Sequence, residues 1–238
     1  MIDLVLVCGL NNTPDIWDEV CAELERMLPG QLNIHRPFMP AQDSTEAIAQ
    51  TLLETLPPRF SYVGFSFGGY VGMALLEAAP QRVERFALVC SNSTGEPESA
   101  RPMRQRAIEI AQAGGHAGLI AKVYPNTVHQ SRIDDQAIIA RREKMVPEYG
   151  AQRFIAHTQA CMKRPDRTHL LGAFSGPALL VATSHDKVVL PEAIRRTADA
   201  APNARFELIE DSGHLLPLEQ PQALAASIAR WLAQPAAA

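Results

Sequence analysis

A single serine stands between two glycines in the segment Gly64-Phe65-Ser66-Phe67-Gly68, after an apolar run and before a stretch of helical periodicity. A serine at a sharp turn from strand to helix is held in strained geometry with its hydroxyl exposed, and small neighbours avoid collisions there. The first amides of the following helix favour negative charge nearby. The segment therefore predicts that Ser66 is a nucleophile; the alternative is a chance match in a glycine-rich turn.

Serine needs a base, itself oriented by an acid, before it can attack a carbonyl carbon at neutral pH. Asp186 follows the apolar run 178–182, and His214 follows the run 205–209. Because the carboxyl ends of parallel strands meet at one edge of a sheet, both side chains should reach Ser66. We expect His214 to take the serine proton and Asp186 to hold the other ring nitrogen.

Other acids and histidines fit these roles less well. Glu210 and Asp211 compete for the acid role, but they lie on the loop of His214 itself, so Asp186 is preferred. His185 directly precedes Asp186 and is expected to point away from the catalytic group. The other histidines have no matching context: His35, His116, His129, His157 and His169.

Acyl transfer also needs two backbone N–H groups that bind the developing oxyanion. The first should come from Phe67, the residue after the nucleophile. The second should come from the loop after the first apolar run, with Leu10 as the preferred donor and Asn11 as the second choice. Candidate substrate contacts are Asn11, Phe65, Tyr124 and Phe154; the last two could equally belong to a helical core.

Short apolar runs alternate with segments of helical periodicity over the first ninety residues. Strands are predicted at 4–7, 32–35, 62–65 and 86–90, with helices at 16–27, 45–56 and 69–79. This alternation is typical of an α/β fold, a parallel sheet with helices on both faces.

The alternation stops after residue 92 and resumes near residue 178. Between these points only helices are predicted, at 103–113, 117–123, 135–145 and 148–163. Strands then return at 178–182 and 205–209, with helices at 191–200 and 221–233. We therefore expect an α/β core at 1–95 and 172–238, interrupted by a helical cap at 96–171, here called the cap segment.

Composition excludes several classes of protein. The chain has 238 residues, 47% hydrophobic and 20% charged, with a net charge of −4, so nothing indicates nucleic acid or an anionic membrane. Residues 1–7 carry an acid and no basic region, which indicates a strand and not a signal peptide. The four cysteines have no metal-ligand spacing. We therefore expect a cytoplasmic protein without metal or cofactor, whose oligomeric state stays open.

Five stretches together resemble the α/β-hydrolase superfamily: 6–17, 62–72, 82–92, 181–191 and 209–221. The resemblance is to small bacterial members that include enol-lactonases, carboxylesterases, carbon–carbon bond hydrolases and cofactor-free haloperoxidases. It implies the α/β-hydrolase fold, with a mostly parallel sheet and a helical cap. The cap segment matches this family only in position and character, so it names no substrate.

The sequence departs from the family pattern in three places. Cys8 replaces the histidine that usually stands in the loop after the first strand. Two amino-terminal strands common in the family are absent, because the sequence starts on the strand before that loop. The loop at 36–40 lacks the usual Asp-x-x-Gly-x-Gly-x-Ser run, so we expect a more open site on that side.

The favoured function is a serine hydrolase that cleaves a small ester, lactone or thioester through an acyl-enzyme. One alternative is a carbon–carbon bond hydrolase of a β-diketone-type substrate; another is a ligand receptor on a hydrolase scaffold, against which the intact Ser66, Asp186 and His214 argue. The cap segment has twelve basic and eight acidic residues. That excess could steer an anionic substrate, or it could be ordinary helix surface.

Overall fold

The computed structural model describes residues 1–236 and contains one six-stranded sheet of order β2-β1-β3-β4-β5-β6. All five neighbouring strand pairs are parallel. The strands are β1 (Ile2–Val7), β2 (Leu32–His35), β3 (Phe60–Phe65), β4 (Val83–Val89), β5 (Ala178–Thr183) and β6 (Ala204–Ile209). The predicted α/β-hydrolase fold, with its mostly parallel sheet, is confirmed.

Eleven α-helices surround the sheet in the described part of the chain. They are α1 (Asp18–Met27), α2 (Thr45–Thr55), α3 (Phe67–Ala78), α4 (Arg101–Gln112), α5 (His116–Val123), α6 (Gln136–Tyr149), α7 (Ala151–Lys163), α8 (Thr168–Ala173), α9 (Pro191–Asp199), α10 (Leu216–Glu219) and α11 (Pro221–Leu232). None of the helices within residues 1–236 is long and apolar enough to cross a membrane. All four cysteines are free thiols.

Burial explains why the central strands were visible in the sequence as continuous apolar runs. Every residue of β3 and β5 is buried, as expected for strands covered by helices on both faces. The chain moves from β1 outward to β2 and then back past β1 to β3. Because such crossovers are right-handed, α1 and α2 lie on opposite faces of the sheet. Accordingly α1 packs against α11, and α2 packs against α3.

The direction of the strand order reverses between β1 and β3, and this reversal opens a crevice at the carboxyl edge of the sheet. The loops after β1, β3, β5 and β6 all leave the sheet at this edge. They carry the residues that the sequence singled out, so the topology explains how segments far apart in sequence converge.

The cap segment contains α4 to α7 and the beginning of α8, all inserted between β4 and β5. One boundary differs from the sequence prediction of a helix at 148–163. In the structure α6 continues through Pro147 to Tyr149, and Gly150, with φ of 81°, separates it from α7. Pro147 has no N–H to donate to the carbonyl of Glu143, and the helix ends two residues after it.

Ion pairs join the cap segment to the rest of the chain, which we call the body. Arg167 is nearly buried and pairs with both Glu46 and Glu77. More exposed pairs follow the same pattern: Arg141 with Glu19, Lys144 with Asp15, and Lys163 with Asp43. The basic excess of the cap segment thus faces acidic residues of the body, and much of it is neutralised at this junction.

Candidate active site

Ser66 occupies the turn between β3 and α3 in a conformation that few non-glycine residues adopt. Its φ is 50° and its ψ is −115°. Such a backbone costs about 1–3 kcal/mol and persists only where its surroundings hold it. Here the Ser66 N–H donates to the Val89 carbonyl at 2.9 Å, and the Ser66 carbonyl accepts from Ser91 Oγ at 2.8 Å. The end of the adjacent strand β4 and the residues directly after it therefore fix the turn.

The glycines around Ser66 are needed because other chain segments approach them closely. A Cβ on Gly64 would lie 2.6 Å from the Gly68 carbonyl oxygen, and one on Gly68 would lie 2.4 Å from the carbonyl oxygen of Val7. Both distances are shorter than real Cβ contacts allow. The two glycines of the motif let β3, α3 and β1 meet closely enough to form the turn.

The structure brings together the three residues predicted to act on an acyl group. His214 Nε2 lies 2.9 Å from Ser66 Oγ, and His214 Nδ1 lies 2.7 Å from Asp186 Oδ2. Asp186 is 2% exposed, while His214 and Ser66 are 6% and 8% exposed. This chain of hydrogen bonds can carry a proton from the serine to the imidazole while the carboxylate stabilises the positive ring.

Asp186 is held by the backbone of its own loop. Its Oδ1 accepts from the N–H groups of Val188 at 2.7 Å and Val189 at 2.9 Å, which leaves Oδ2 for the histidine. The competing acids are placed differently: Glu210 and Asp211 are exposed, and neither side chain bonds to His214 within residues 1–236. Position therefore favours Asp186 over both.

The two predicted oxyanion donors lie at the start of α3 and in the loop after β1. Phe67 is the first residue of α3, where the helix offers no acceptor for its N–H. Across residues 1–236 neither Phe67 nor Leu10 donates its N–H to a backbone carbonyl outside the regular elements or to a side chain. A Cβ on Gly9 would lie 3.0 Å from Ser66 Cβ, so the loop after β1 passes directly beside the serine.

The loop after β1 is held by internal bonds that involve the unusual Cys8. The buried Cys8 thiol donates to the Asn12 carbonyl at 3.1 Å, and Asn12 Nδ2 donates to the Leu10 carbonyl at 2.7 Å. Burial raises the pKa of the Cys8 thiol to about 12, so the group stays protonated and remains a donor. Cys8 thus provides a hydrogen bond that joins the start of this loop to Asn12.

Two side chains of the cap segment also bind this loop. Arg142 Nη1 donates to the Asn11 carbonyl and to Asn12 Oδ1, both at 2.6 Å. His116 Nε2 lies 2.8 Å from Asn11 Oδ1, and Asn11 itself has a φ of 60°. Burial lowers the pKa of Arg142 to about 10, which still leaves the guanidinium charged at neutral pH. The cap segment therefore fixes the position of the residue beside Leu10.

α7 covers part of the loop at 36–40, on the side where a more open site was expected, while Arg36 and Phe38 of this loop are exposed. Met39 is 1% exposed and its carbonyl accepts from Arg153 Nε at 2.9 Å. His157 Nε2 donates to the Pro40 carbonyl at 2.7 Å, while its Nδ1 accepts from the Tyr149 hydroxyl. The sequence could not reveal this cover because its partners lie about 115 residues away.

The predicted substrate contacts occupy different environments. Phe65 is fully buried, with its ring centroid 5.3 Å from that of His214. Phe154 belongs to a small apolar cluster of the cap segment and stacks on His116 at 4.8 Å. Tyr124 lines an apolar groove, and Asn11 lies in the loop described above. Of these four residues, Tyr124 is the one that lines this groove.

This groove lies between α5 and α6 and has a volume of 580 Å³. Its lining is mostly aliphatic, and one lining residue, Arg142 of α6, also donates a hydrogen bond to the loop after β1. Lining side chains include Ile120, Ala121, Tyr124, Ile133, Arg142 and Val146. A volume of this size suits a small organic molecule, which is typically held by apolar walls and a few polar groups.

Glu219 is a buried residue of α10 that was not selected from the sequence. Its carboxylate accepts from the N–H of Gly213, next to His214, and from the N–H of His129 in the cap segment at 2.7 Å. Burial raises its pKa, although these N–H bonds oppose the shift. Glu219 thus ties the histidine loop to the cap segment. Its only sequence signal was a glutamate inside an otherwise apolar run.

The chain belongs to the alpha/beta hydrolase family, whose model matches residues 4–227. It is therefore a hydrolase, and the resemblance stated from the five sequence stretches is confirmed. Among curated proteins it is 26% identical to a pimeloyl-[acyl-carrier protein] methyl ester esterase of Nitrosomonas europaea over 232 residues. That alignment covers 89% of this chain and 88% of the relative.

Solved structures agree on the fold. An esterase from Thermogutta terrifontis superposes with a TM-score of 0.87 at 23% identity, covering 98% of this chain and 89% of that one. An enol-lactonase from Burkholderia xenovorans LB400 superposes with a TM-score of 0.85 at 20% identity, covering 98% and 92%. At these identities the likeness extends to the fold and does not identify a substrate.

Proposed function

We propose that this protein is a serine hydrolase that cleaves a small carboxylic ester, lactone or thioester through an acyl-enzyme. One observation carries the proposal: the Asp186–His214–Ser66 chain has hydrogen bonds of 2.7 and 2.9 Å and lies beside the loop after β1 and the start of α3, where the N–H groups of Leu10 and Phe67 have no protein acceptor among residues 1–236. A nucleophile, a base with its orienting acid, and an oxyanion site are the parts that acyl transfer requires.

In the acylation step Ser66 Oγ attacks the carbonyl carbon of the substrate while its proton passes to His214 Nε2. The carbonyl oxygen becomes an oxyanion and accepts from the N–H groups of Leu10 and Phe67. Asp186 stabilises the positive imidazolium without taking its proton. When the tetrahedral intermediate collapses, the bond to the leaving alcohol or thiol breaks, and that group takes the proton from His214 Nε2.

In the deacylation step a water molecule replaces the leaving group. His214 Nε2 removes a proton from the water as its oxygen attacks the acyl carbon, and the same two N–H groups bind the second oxyanion. Collapse releases the carboxylic acid, and the proton returns from His214 to Ser66 Oγ. Every proton transferred in this cycle therefore comes from the chain or from water.

The groove between α5 and α6 is the proposed binding site for the apolar part of the substrate. Arg142 supports this assignment because it lines the groove and also bonds to Asn11, which follows the proposed donor Leu10. An acyl or alkyl group of several carbons fits a 580 Å³ space with aliphatic walls. The polar residues that line the groove are Tyr124, Arg142 and Glu143. Asn11 remains a candidate substrate contact in the loop that Arg142 binds.

An anionic substrate, one of the expectations from sequence, has less support than an uncharged one. Many basic residues of the cap segment pair with carboxylates of the body or of the segment itself, so the long-range attraction is reduced. The favoured substrate is therefore apolar near its scissile bond, with its charge outside the groove if it carries one.

A fluorophosphonate probe tests the proposal directly, because it forms a covalent bond only with an activated serine. We expect one probe per chain, located at Ser66 by peptide mass spectrometry, and turnover of short p-nitrophenyl esters. The Ser66→Ala variant should lose both labelling and turnover. Ser99→Ala, which alters an exposed serine of the cap segment, should retain both.

Retained labelling of the Ser66→Ala variant would overturn the assignment of the nucleophile. A substrate panel then separates the remaining functions: esters, lactones and thioesters of graded length against ring-fission diketones. Turnover of the diketones alone would establish carbon–carbon bond cleavage instead. Tight ligand binding by a protein that is never labelled would support a receptor.

A further inference from the structure

A second group of polar side chains lies where the cap segment meets the two loops that carry Asp186 and His214. One ring nitrogen of His129, one ring nitrogen of His185 and a carboxylate oxygen of Asp211 all lie within 4.8 Å of one another. The two imidazole rings approach edge to face, with centroids 4.5 Å apart. Two imidazoles and a carboxylate form a donor set that suits zinc better than it suits magnesium or calcium.

Each histidine of this group is oriented by a serine. Nδ1 of His129 lies 2.8 Å from Ser131 Oγ, and Nδ1 of His185 lies 2.9 Å from Ser184 Oγ. In both rings Nε2 is thus the nitrogen left for an outside partner. Nδ1 of His129 also accepts the backbone N–H of Ser131 at 3.3 Å, so the ring proton is on Nε2, and binding of a metal ion there would move that proton to Nδ1, toward Ser131 Oγ. Histidines that bind metals commonly donate their other ring nitrogen to an oxygen in this way, because the contact fixes the tautomer and the direction of the ring.

Ser184 also connects the second histidine with the carboxylate. Its Oγ accepts the backbone N–H of Asp211 at 3.1 Å while it contacts His185. Asp211 has a φ of 54°, an uncommon backbone conformation for a non-glycine residue. The loops after β5 and β6 are therefore joined at the point where both ligand side chains emerge.

The third ligand is held from beneath by Glu219. The N–H of His129 donates to Glu219 Oε2 at 2.7 Å, and His129 is only 9% exposed. In contrast, His185 and Asp211 are exposed. Ligand atoms around a tetrahedral zinc ion, with bonds of about 2.0–2.2 Å, lie roughly 3.3 Å apart. Rotation of the two exposed side chains toward the fixed His129 can close the remaining gap.

We propose that His129, His185 and Asp211 bind one zinc ion, with water as the fourth ligand, and that this ion fastens the cap segment to the body. His185 directly precedes Asp186, and Asp211 lies three residues before His214. The ion joins the cap segment to both loops and takes no part in bond cleavage. This inference does not depend on the proposed function. It also differs from the expectation of no metal that was drawn from the sequence. Ligand spacing along the sequence could not reveal this site, because its ligands come from three segments that are distant in sequence.

Zinc binding to the metal-free protein, prepared without a polyhistidine tag, tests this site. The protein is dialysed against zinc, bound metal is measured by mass spectrometry, and affinity is measured by competition with a chromophoric chelator. We expect about one zinc per chain and a rise in Tm of a few degrees, roughly as for a ligand well above its Kd. His185→Ala and Asp211→Asn should each weaken binding by about tenfold or more.

His169→Ala is the matched control, because it removes an exposed histidine outside this group and should leave zinc affinity unchanged. No zinc bound by the wild-type protein, or equal affinity in the His185→Ala variant, would overturn the site. The same holds if affinity is lost with His214→Ala but kept with His185→Ala, since the metal would then lie on the catalytic histidine. Circular dichroism of each variant shows that a lost affinity is not a lost fold.

Discussion

The carboxyl edge of the sheet and the cap segment contribute to the site by different kinds of interaction. At the edge, backbone geometry dominates: the strained Ser66 is held by Val89 and by the absence of side chains at Gly64 and Gly68. The cap segment acts through long side chains, with Arg142 bonded to the loop after β1 and Arg167 paired with two glutamates. We therefore expect few substitutions to be tolerated at the edge, whereas single side chains of the cap segment can be replaced.

This difference matters because the two regions hold different parts of the proposed machinery. The edge carries the nucleophile, the base and the acid on three loops. The cap segment touches none of these three side chains through a hydrogen bond among residues 1–236, but it holds the loop that contains Leu10. Substitutions at the edge should abolish catalysis, and substitutions in the cap segment should reduce it to different degrees.

The largest effect is expected at the edge. Ser66→Ala and His214→Ala should each reduce kcat by about 10⁴-fold or more, and the double variant should be little worse, because the residues act as a unit. Asp186→Asn should also be severe, since the amide favours the wrong histidine tautomer. Steady-state kinetics with a p-nitrophenyl ester measure all of these.

Asp199→Asn removes an exposed carboxylate far along α9 and serves as the control for Asp186→Asn. Its kcat should equal that of the wild type within about twofold. If the double variant of Ser66 and His214 instead lost the product of the two single losses, the residues would act independently and the shared mechanism would fail.

The next effect concerns the contact of α7 with the body at His157. Burial lowers the pKa of His157 to about 4, from an ordinary value near 6.5. Below pH 6.5 the unfolded chain therefore binds a proton that the folded chain takes up only near pH 4. The free energy of unfolding should fall by roughly 3 kcal/mol as the pH drops through this interval, and this contribution is complete above pH 6.5.

Urea denaturation at a series of pH values measures this dependence. His157→Gln keeps a donor for Pro40 and an acceptor for Tyr149 but cannot titrate, so its stability should change less between pH 6.5 and 4. His169→Gln alters an exposed histidine and should keep the wild-type slope. Equal slopes in the wild type and His157→Gln would assign the acid sensitivity to other groups.

A smaller effect is expected where the cap segment holds the loop after β1. Arg142→Met removes both hydrogen bonds to Asn11 and Asn12 while keeping most of the side-chain volume. The looser loop should misplace the Leu10 N–H and reduce kcat by about 10- to 100-fold, with a smaller change in KM. Arg101→Met, which removes an exposed cap arginine paired with Glu98, is the control. Similar kinetics in both variants would show that Arg142 of the cap segment does not position the oxyanion site.

The smallest effect is expected for a substitution in the groove, which tests whether the substrate binds there. Ala121→Trp should fill part of the space between α5 and α6 and raise KM for an octanoyl ester by about tenfold, with little change for an acetyl ester. Lys122→Trp places the same side chain at the neighbouring exposed position, which does not line the groove. If both variants changed KM equally for both esters, the substrate would bind elsewhere.

The sequence predicted the parts of the molecule that depend on local rules. Apolar runs gave the strands, helical periodicity gave most helices, and the turn chemistry around Ser66 gave the nucleophile. The order of Asp186 and His214, each after a strand, was enough to predict that they converge, because parallel strands end at one edge. The structure confirms the fold and shows this convergence; the catalytic roles stay predictions until they are measured.

Other features were decided only by tertiary structure. No local pattern indicates that Arg142 reaches Asn11, that Glu219 joins His129 to Gly213, or that His129 and His185 share a neighbourhood with Asp211. Backbone preferences act over a few residues, and a sequence displays them directly. Contacts between side chains more than twenty residues apart depend on how the helices of the cap segment pack on the body, and that packing exists only in the folded chain.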